Sequence, residues 1–331
     1  MRATNWVGDA VMSLPALRAL YERYPGAEIA ILAKPWVADL YRRESFCHRV
    51  IPYTPRTLAE KWSAGRALAR ERFDCAVLLQ NAFEAAAIAV AARIPERIGY
   101  ARDGRGFLLT QAIQVPRPGE IPRHERFYYL EMLHRAGILD SLPACDSIRL
   151  QGAGEARANG LARFQQLGLG DTVVGVSPGA AYGSAKRWNP EYFAQAARHL
   201  SRSLGASVAL FGSASERELC AQIAKGVGAN ARNLAGETTL AEFIDLAAAC
   251  RVFLTNDSGG MHIASALGVP TVAVFGSTDE TTTGPTGPLA RVVREQVECA
   301  PCLQRECPID HRCMVRLAPE KVADVALELV K

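Results

Sequence analysis

The sequence has no apolar run that approaches the roughly 20 residues a bilayer-spanning helix needs. Residues 1–5 are not followed by the apolar core of a signal peptide, and neither internal repeats nor low-complexity segments occur in the chain. These absences exclude a transmembrane protein and a repeat array. We therefore expect a cytoplasmic globular protein.

Three ligand-binding motifs are also absent. There is no Gly-x-Gly-x-x-Gly after a first strand and no Gly-x-x-x-x-Gly-Lys-Ser/Thr, so nicotinamide chemistry and P-loop phosphoryl transfer lose support. No Asp-x-Asp pair is available to hold a divalent metal against a diphosphate. We expect a reaction that needs neither a metal nor a cofactor.

The net charge of +4 is small for a chain of 331 residues and gives no support for nucleic-acid binding. One stretch is more basic, since residues 93–126 contain seven arginines and four acidic residues. That excess would suit a phosphorylated or membrane-surface ligand. A solvated basic face without a ligand explains it equally well.

The nine cysteines are an odd number without a secretion signal, which argues against a disulfide framework. Four of them, Cys299, Cys302, Cys307 and Cys313, lie close together with His311 beside them. Their number would suit a tetrahedral zinc ion or an iron-sulfur cluster. The spacing is not that of a standard zinc finger, so we favour reduced thiols in a loop.

Short apolar strands alternate with helical patterns along most of the chain. In the first part, strands are predicted at residues 29–32 and 76–79, with helices at 10–24, 82–92 and around Leu130. A second series has strands at 173–176, 208–211, 252–254 and 271–275. Alternating strands and helices predict parallel sheets covered on both faces.

A polar, glycine-containing stretch at residues 143–170 separates the two series. We predict two domains, at residues 1–155 and 156–331, both doubly wound and facing across a cleft. The last helix is a candidate to pack back on the first domain. Residues 1–4 are not strand-like, and we hypothesise that the first strand lies upstream of Met1.

The most informative segment is Asn256-Asp257-Ser258-Gly259-Gly260-Met261-His262, which follows a strand and opens a helix. Ser258, Gly259 and Gly260 present backbone N–H groups at the positive end of that helix, where a diphosphate fits. Asp257 is a candidate to bind sugar hydroxyls, and His262 to donate to a phosphate oxygen. Alternatively, Asp257 or Ser258 caps the helix and His262 packs locally.

A second glycine-containing loop, residues 177–188, also lies between a strand and a helix that Asn189 can cap. Ser177 and Gly179 keep the loop close to a ligand, while Lys186 supplies a cation for a leaving diphosphate. The alternative is a flexible surface lysine.

These segments, together with residues 7–17, Phe211-Gly212-Ser213 and residues 233–238, resemble glycosyltransferase family 9, the ADP-heptose lipopolysaccharide heptosyltransferases, and most closely its heptosyltransferase II branch. The resemblance runs nearly end to end. It implies a GT-B fold and an inverting transfer of heptose from ADP-heptose to the heptose of the lipopolysaccharide inner core. The implied acceptor is a phosphorylated inner-core lipid A at the inner leaflet, so the enzyme would be peripheral at the inner membrane.

The resemblance also implies roles for single residues. Asp9 matches the general base of the family, and Lys186 its phosphate-binding lysine. Glu216 falls where the family has a ribose-binding carboxylate, and residues 234–237, ending at Glu237, would border the adenine. The residues alone favour a helix cap for Asp9 and an exposed first-turn acid for Glu216.

Two other functions remain open. An enzyme of the same architecture with another donor, or a sugar nucleotide 2-epimerase, would share most of these motifs. A nucleotide-sugar-binding protein without activity would share them as well. No protein partner is predicted.

Overall fold

The computed structural model describes residues 1–331 and divides into two compact units, Met1–Cys145 and Asp146–Lys331. The boundary predicted after residue 155 falls instead just inside the first helix of the second unit, Ala153–Gln166. No helix has both the length and the apolar character needed to span a bilayer.

The first unit is an α/β domain whose strands run parallel. Its strands are β1 (Ala30–Ala33), β2 (Arg49–Pro52), β3 (Cys75–Val77), β4 (Glu96–Tyr100) and β5 (Gln111–Ile113). Its helices are α1 (Val7–Arg23), α2 (Pro35–Arg42), α3 (Leu58–Ala69), α4 (Phe83–Ala91) and α5 (Glu125–Arg135).

The first residues of the chain join the two sheets of this unit, β1-β2 and β3-β4-β5. Arg2 forms parallel bridges to Leu32 and to Leu78, and the N–H of Ala3 donates to the carbonyl of Leu32 at 3.0 Å. Residues 1–4 form no regular strand, as predicted, but Arg2 pairs through isolated bridges on both sides. Pairing with both neighbours overrides the poor strand propensity of these residues. The hypothesis that further residues precede Met1 stays a prediction.

The second unit holds one six-stranded parallel sheet in the order β11-β10-β9-β6-β7-β8. Its strands are β6 (Val173–Ser177), β7 (Ser207–Leu210), β8 (Ala231–Asn233), β9 (Val252–Asn256), β10 (Thr271–Val274) and β11 (Ala290–Val293). Its helices are α6 (Ala153–Gln166), α7 (Pro190–Leu204), α8 (Arg217–Val227), α9 (Leu240–Ala249), α10 (Gly259–Ala266), α11 (Glu280–Thr283), α12 (Arg312–Val315) and α13 (Pro319–Val330).

The strand order of the second unit reverses between β6 and β9, which lie side by side with Ser177 opposite Thr255. In a doubly wound sheet this switch point is where a ligand binds, beyond the carboxyl ends of the strands. Both loops that the sequence singles out begin here. The doubly wound, Rossmann-like architecture predicted from the sequence is confirmed.

The last helix, α13, contributes to the core of the second unit, and its packing on the first domain stays a prediction. The buried side chains of α13, among them Val322, Ala323 and Ala326, lie in the core of the second unit with Val252 and Val272. These apolar side chains are thereby removed from water within the second unit, which accounts for the position of α13.

Candidate active site

The start of α10 is a candidate anion-binding position. Ser258 occupies the N-cap in extended conformation, but its side chain caps no N–H of the helix. Gly259 and Gly260 form the first turn, whose backbone N–H groups have no partner within the helix. The N-terminus of a helix also carries about half a positive charge. A phosphate group would meet both the donors and the positive potential there.

The two strand ends approach each other closely at this point. A Cβ atom added to Gly260 would lie 3.1 Å from the hydroxyl oxygen of Ser177 and 3.4 Å from Cζ of Phe243. A side chain at residue 260 would therefore press against the Ser177 and Phe243 side chains. Ser177 and Gly260 are thus brought together, as the sequence predicts.

Lys186 and Asp257 form an ion pair at the same place. The ammonium nitrogen Nζ of Lys186 donates to Oδ2 of Asp257 at 2.6 Å, and the hydroxyl of Thr278 donates to the same oxygen at 2.7 Å. The side chains of Lys186 and Asp257 are only 13% and 5% exposed. Lys186 is therefore not a flexible surface lysine, and Asp257 does not act as a helix cap.

The loop that carries Lys186 has a defined conformation. Ser184–Lys186 forms a 3-10 turn just before α7, and the Nε2 atom of His311 lies 3.0 Å from the carbonyl oxygen of Ala185. The ammonium group of Lys186 also lies 4.9 Å from the centre of the Tyr182 ring, within cation–π range. These contacts place the lysine side chain toward α10.

Sequence reasoning missed Asn256, the residue that joins the two loops. Its side chain is fully buried; Nδ2 donates to the carbonyl of Pro178 at 2.6 Å, and Oδ1 accepts from the N–H of Trp188 at 3.1 Å. One amide therefore ties both ends of the Lys186 loop to the end of β9. A buried asparagine at a strand end beside Asp257 is a signal that could have identified it, because a buried amide needs partners.

Glu216 has a structural role in a capping box as well as a candidate binding role. Its Oε2 accepts from the N–H of Ser213 at 2.7 Å and from the Ser213 hydroxyl at 2.9 Å. A Cβ atom on Gly179 would lie 1.9 Å from Oε1 of Glu216. The carboxylate thus lies against the backbone of the 177–188 loop, and any side chain at residue 179 would displace it.

The remaining donor-site candidates lie around these groups. Glu237 is exposed and pairs with Arg217 at 3.5 Å, while the preceding Leu234 and Ala235 are buried. His262 is only 4% exposed in the second turn of α10. Its imidazole belongs to the packed part of the helix, so a phosphate contact from His262 stays a prediction.

Asp9 lies in the first turn of α1, in the first unit. The N-cap of this helix is Trp6, with no side-chain cap, so Asp9 does not cap it. Burial, and next the charge of Asp9, raise the pKa of the Glu125 carboxyl at the start of α5. Burial and the Asp9 charge likewise raise the pKa of Tyr129. Glu125 and Tyr129 are therefore near enough to Asp9 to respond to its charge.

The basic stretch at residues 93–126 is only partly a surface. Arg105 is fully buried, where its guanidinium donates to the carbonyls of Tyr100 and Gln80. Arg97 donates to the carbonyls of Leu108 and Ile94. These two arginines satisfy backbone oxygen atoms inside the unit, and fewer cations remain for a ligand than the composition indicates.

The four clustered thiols come near one another in the second unit. Burial, then the neighbouring Cys299, Cys307 and Cys302, raise the pKa of the Cys313 thiol. No group of three or more His, Cys, Asp or Glu side chains in the structure is arranged to hold a metal ion. The segment contacts the 177–188 loop, since the N–H of Ala185 donates to the carbonyl of Arg305 at 3.0 Å, and the N–H of Leu303 donates to the carbonyl of Ser277 at 2.7 Å.

The sequence profile of glycosyltransferase family 9 (heptosyltransferase) matches residues 61–312 of this chain. The chain belongs to glycosyltransferase family 9. It is therefore a glycosyltransferase, and its two Rossmann-like units form the GT-B fold seen in structures of this family.

Several family 9 proteins are similar over most of their length. Lipopolysaccharide heptosyltransferase 2 of Salmonella typhimurium is 33% identical over 301 residues, which cover 88% of this chain and 86% of that protein. The structure of Escherichia coli ADP-heptose LPS heptosyltransferase II matches with a TM-score of 0.83 and 30% identity, covering 99% of this chain and 97% of the other.

A more distant match concerns the epimerase alternative. The UDP-GlcNAc 2-epimerase of Methanocaldococcus jannaschii matches with a TM-score of 0.53 at 14% identity, over 88% of this chain and 87% of that one. A likeness at this identity reflects the shared fold alone. It adds no support for epimerase activity.

Proposed function

We propose that this enzyme transfers heptose from ADP-heptose to the heptose of the lipopolysaccharide inner core, with inversion and without a metal ion. The observation that carries the proposal is the Lys186–Asp257 pair of 2.6 Å at the open start of α10. It combines a cation, a carboxylate and helix N–H groups where a nucleotide diphosphate sugar would bind. The heptosyltransferase 2 names of the relatives support this choice of donor and acceptor.

In the proposed donor complex, the diphosphate lies on the N–H groups of Ser258, Gly259 and Gly260. Lys186 neutralises the charge that grows as ADP leaves, which is the largest source of stabilisation in such a reaction. Asp257 keeps one oxygen for a sugar hydroxyl while the other holds Lys186. Glu216 binds the ribose and residues 234–237 border the adenine.

The acceptor chemistry is assigned to Asp9. The attacking hydroxyl must lose its proton as it reaches the anomeric carbon, and a placed carboxylate accelerates such a step by about 10² to 10⁴. The new bond forms on the face opposite the departing ADP, so the configuration at this carbon inverts. A phosphorylated inner-core lipid A would bring the acceptor to the inner leaflet, with the enzyme peripheral to that membrane.

The test is a turnover assay with ADP-heptose and a defined inner-core acceptor. We expect ADP release together with a product one heptose heavier, with an inverted anomeric centre by NMR and a rate unchanged by EDTA. Release of ADP only from other nucleotide sugars would replace the donor assignment. Binding of ADP without any transfer would instead favour a nucleotide-sugar-binding protein.

A further inference from the structure

A second cation shares the aromatic ring that Lys186 contacts. The guanidinium carbon of Arg305 lies 5.1 Å from the centre of the Tyr182 ring, and the ammonium nitrogen of Lys186 lies 4.9 Å from it. The Tyr182 hydroxyl donates to the carbonyl of Leu303 at 3.1 Å, which ties the ring to the segment that carries Arg305. One ring therefore holds two positive groups in the same region.

The backbone of Arg305 is fixed against the Lys186 loop independently of its side chain. Its carbonyl accepts from the N–H of Ala185 at 3.0 Å. A Cβ atom on Gly183 would lie 2.1 Å from that same oxygen, so glycine is required for the two segments to approach this closely. The backbone of Arg305 thus lies directly against the loop that carries Lys186, which leaves the side chain to reorient.

The charges at the site favour a second cation. The positive charge of Lys186 is matched by Asp257 at 2.6 Å, and the helix N-terminus contributes only about half a charge. The diphosphate of a nucleotide sugar carries two negative charges, and free ADP carries more. Arg305 is exposed and forms no ion pair with a carboxylate, so its charge is available to a ligand.

We propose that Arg305 is a binding residue for the diphosphate of the donor, acting beside Lys186. Its planar guanidinium, which is well matched to phosphate oxygen atoms, moves from the face of Tyr182 to the diphosphate. The role rests on the proposed function, because it takes the donor to be a nucleotide diphosphate sugar. In this proposal, the segment that contains the clustered cysteines positions Arg305 beside the donor.

The experiment compares the affinities of ADP and AMP by calorimetry for wild type, Arg305→Met and Arg305→Lys. Methionine keeps an apolar stem against Tyr182 but removes the charge. We expect Arg305→Met to weaken ADP binding about tenfold, the value of one charge-assisted hydrogen bond at a partly exposed site, and to change AMP binding less. Arg305→Lys should retain part of the ADP affinity. Arg202→Met, at an exposed position on α7, is the matched control and should change neither.

Three other results would overturn the role of Arg305, and one of them would also overturn the proposed function. Unchanged ADP affinity in Arg305→Met, with wild type active, would overturn the role of Arg305 and leave the proposed function intact. Equal losses for ADP and AMP with a lowered melting temperature would mark Arg305 as structural and overturn it as well. A wild-type protein that binds no ADP would refute the proposed function and this role with it.

Discussion

Oδ2 of Asp257 accepts hydrogen bonds from both Lys186 and Thr278, at 2.6 and 2.7 Å, in a nearly buried position. The carboxylate belongs to the end of β9, the ammonium group to the loop after β6, and the hydroxyl to the segment after β10. Three neighbouring strands of the sheet therefore place one polar side chain each at the same point. This arrangement orients the lysine before any ligand arrives.

Lys186→Ala should weaken both ADP binding and turnover. The loss of a charged hydrogen bond to the diphosphate predicts an affinity about 10- to 100-fold lower. Asp257 would also keep its buried charge with only the Thr278 hydroxyl as partner, at a cost of about 1 to 3 kcal/mol in the free energy of unfolding. Calorimetry with ADP and urea denaturation measure the two effects. Lys225→Ala, on an exposed side of α8, is the control and should change neither quantity. Unchanged kinetics in Lys186→Ala would contradict the proposed role of Lys186.

Gly179→Ala should displace the Glu216 carboxylate. The added methyl group would lie 1.9 Å from Oε1, so either the loop or the capping box must move. We expect ADP affinity to fall roughly tenfold, since a contact to the ribose would be lost. Gly154→Ala places the same methyl group in open space on α6 and should leave ADP binding unchanged. Equal affinities for the two variants would mean that Glu216 does not bind the nucleotide.

Glu125→Gln should raise stability at neutral pH. The pKa of Glu125 is raised by burial and by the charge of Asp9, so the ionised carboxylate is unfavourable in the folded state. Relative to a glutamate with an ordinary pKa, the raised pKa of Glu125 favours the folded state at acid pH. This contribution to the free energy of unfolding is fully present below the ordinary glutamate pKa and is lost as pH rises through the raised pKa. The melting temperature of Glu125→Gln should exceed that of wild type at pH 7 to 8, and the difference should vanish at acid pH.

Glu120 provides a control of opposite sign. Hydrogen bonds from the Arg135 side chain and the Arg117 backbone lower the pKa of its carboxyl. The lowered pKa stabilises the folded protein at pH values above the ordinary glutamate pKa, and this stabilisation is lost as pH falls through the lowered pKa. Glu120→Gln should therefore lower the melting temperature at neutral pH. A change in melting temperature of the same sign in Glu125→Gln and Glu120→Gln at neutral pH would contradict the opposite pKa shifts assigned to these two carboxyl groups.

Sequence reasoning could find six of the eleven strands and the two loops that follow β6 and β9. Val173–Ser177 and Val252–Asn256 are apolar runs that need no tertiary knowledge to be recognised as buried strands. It could not find Thr278 or the two partners of Asn256, because these contacts depend on which strand ends become neighbours. The bridges at Arg2 could not be predicted because pairing on both sides, not local propensity, produces them.

The contact between Gly179 and Glu216 also could not be predicted from the sequence. A glycine before Lys186 indicates a close backbone approach, but the approaching group is Glu216, far along the chain. Arg305 was absent from the predicted site because it lies in a segment noted only for its cysteines. Its position against Ala185 and Tyr182 becomes visible only in three dimensions.

The most direct test of the proposed mechanism is Asp9→Asn, measured as heptose transfer and as ADP affinity in the same preparation. The account predicts that transfer falls by about 10² to 10⁴ because the acceptor hydroxyl keeps its proton, while ADP affinity is unchanged. Glu22→Gln, an exposed acid on the same helix, should alter neither. Transfer at the wild-type rate, or a loss of ADP binding in Asp9→Asn, would contradict the assignment of Asp9 as the base.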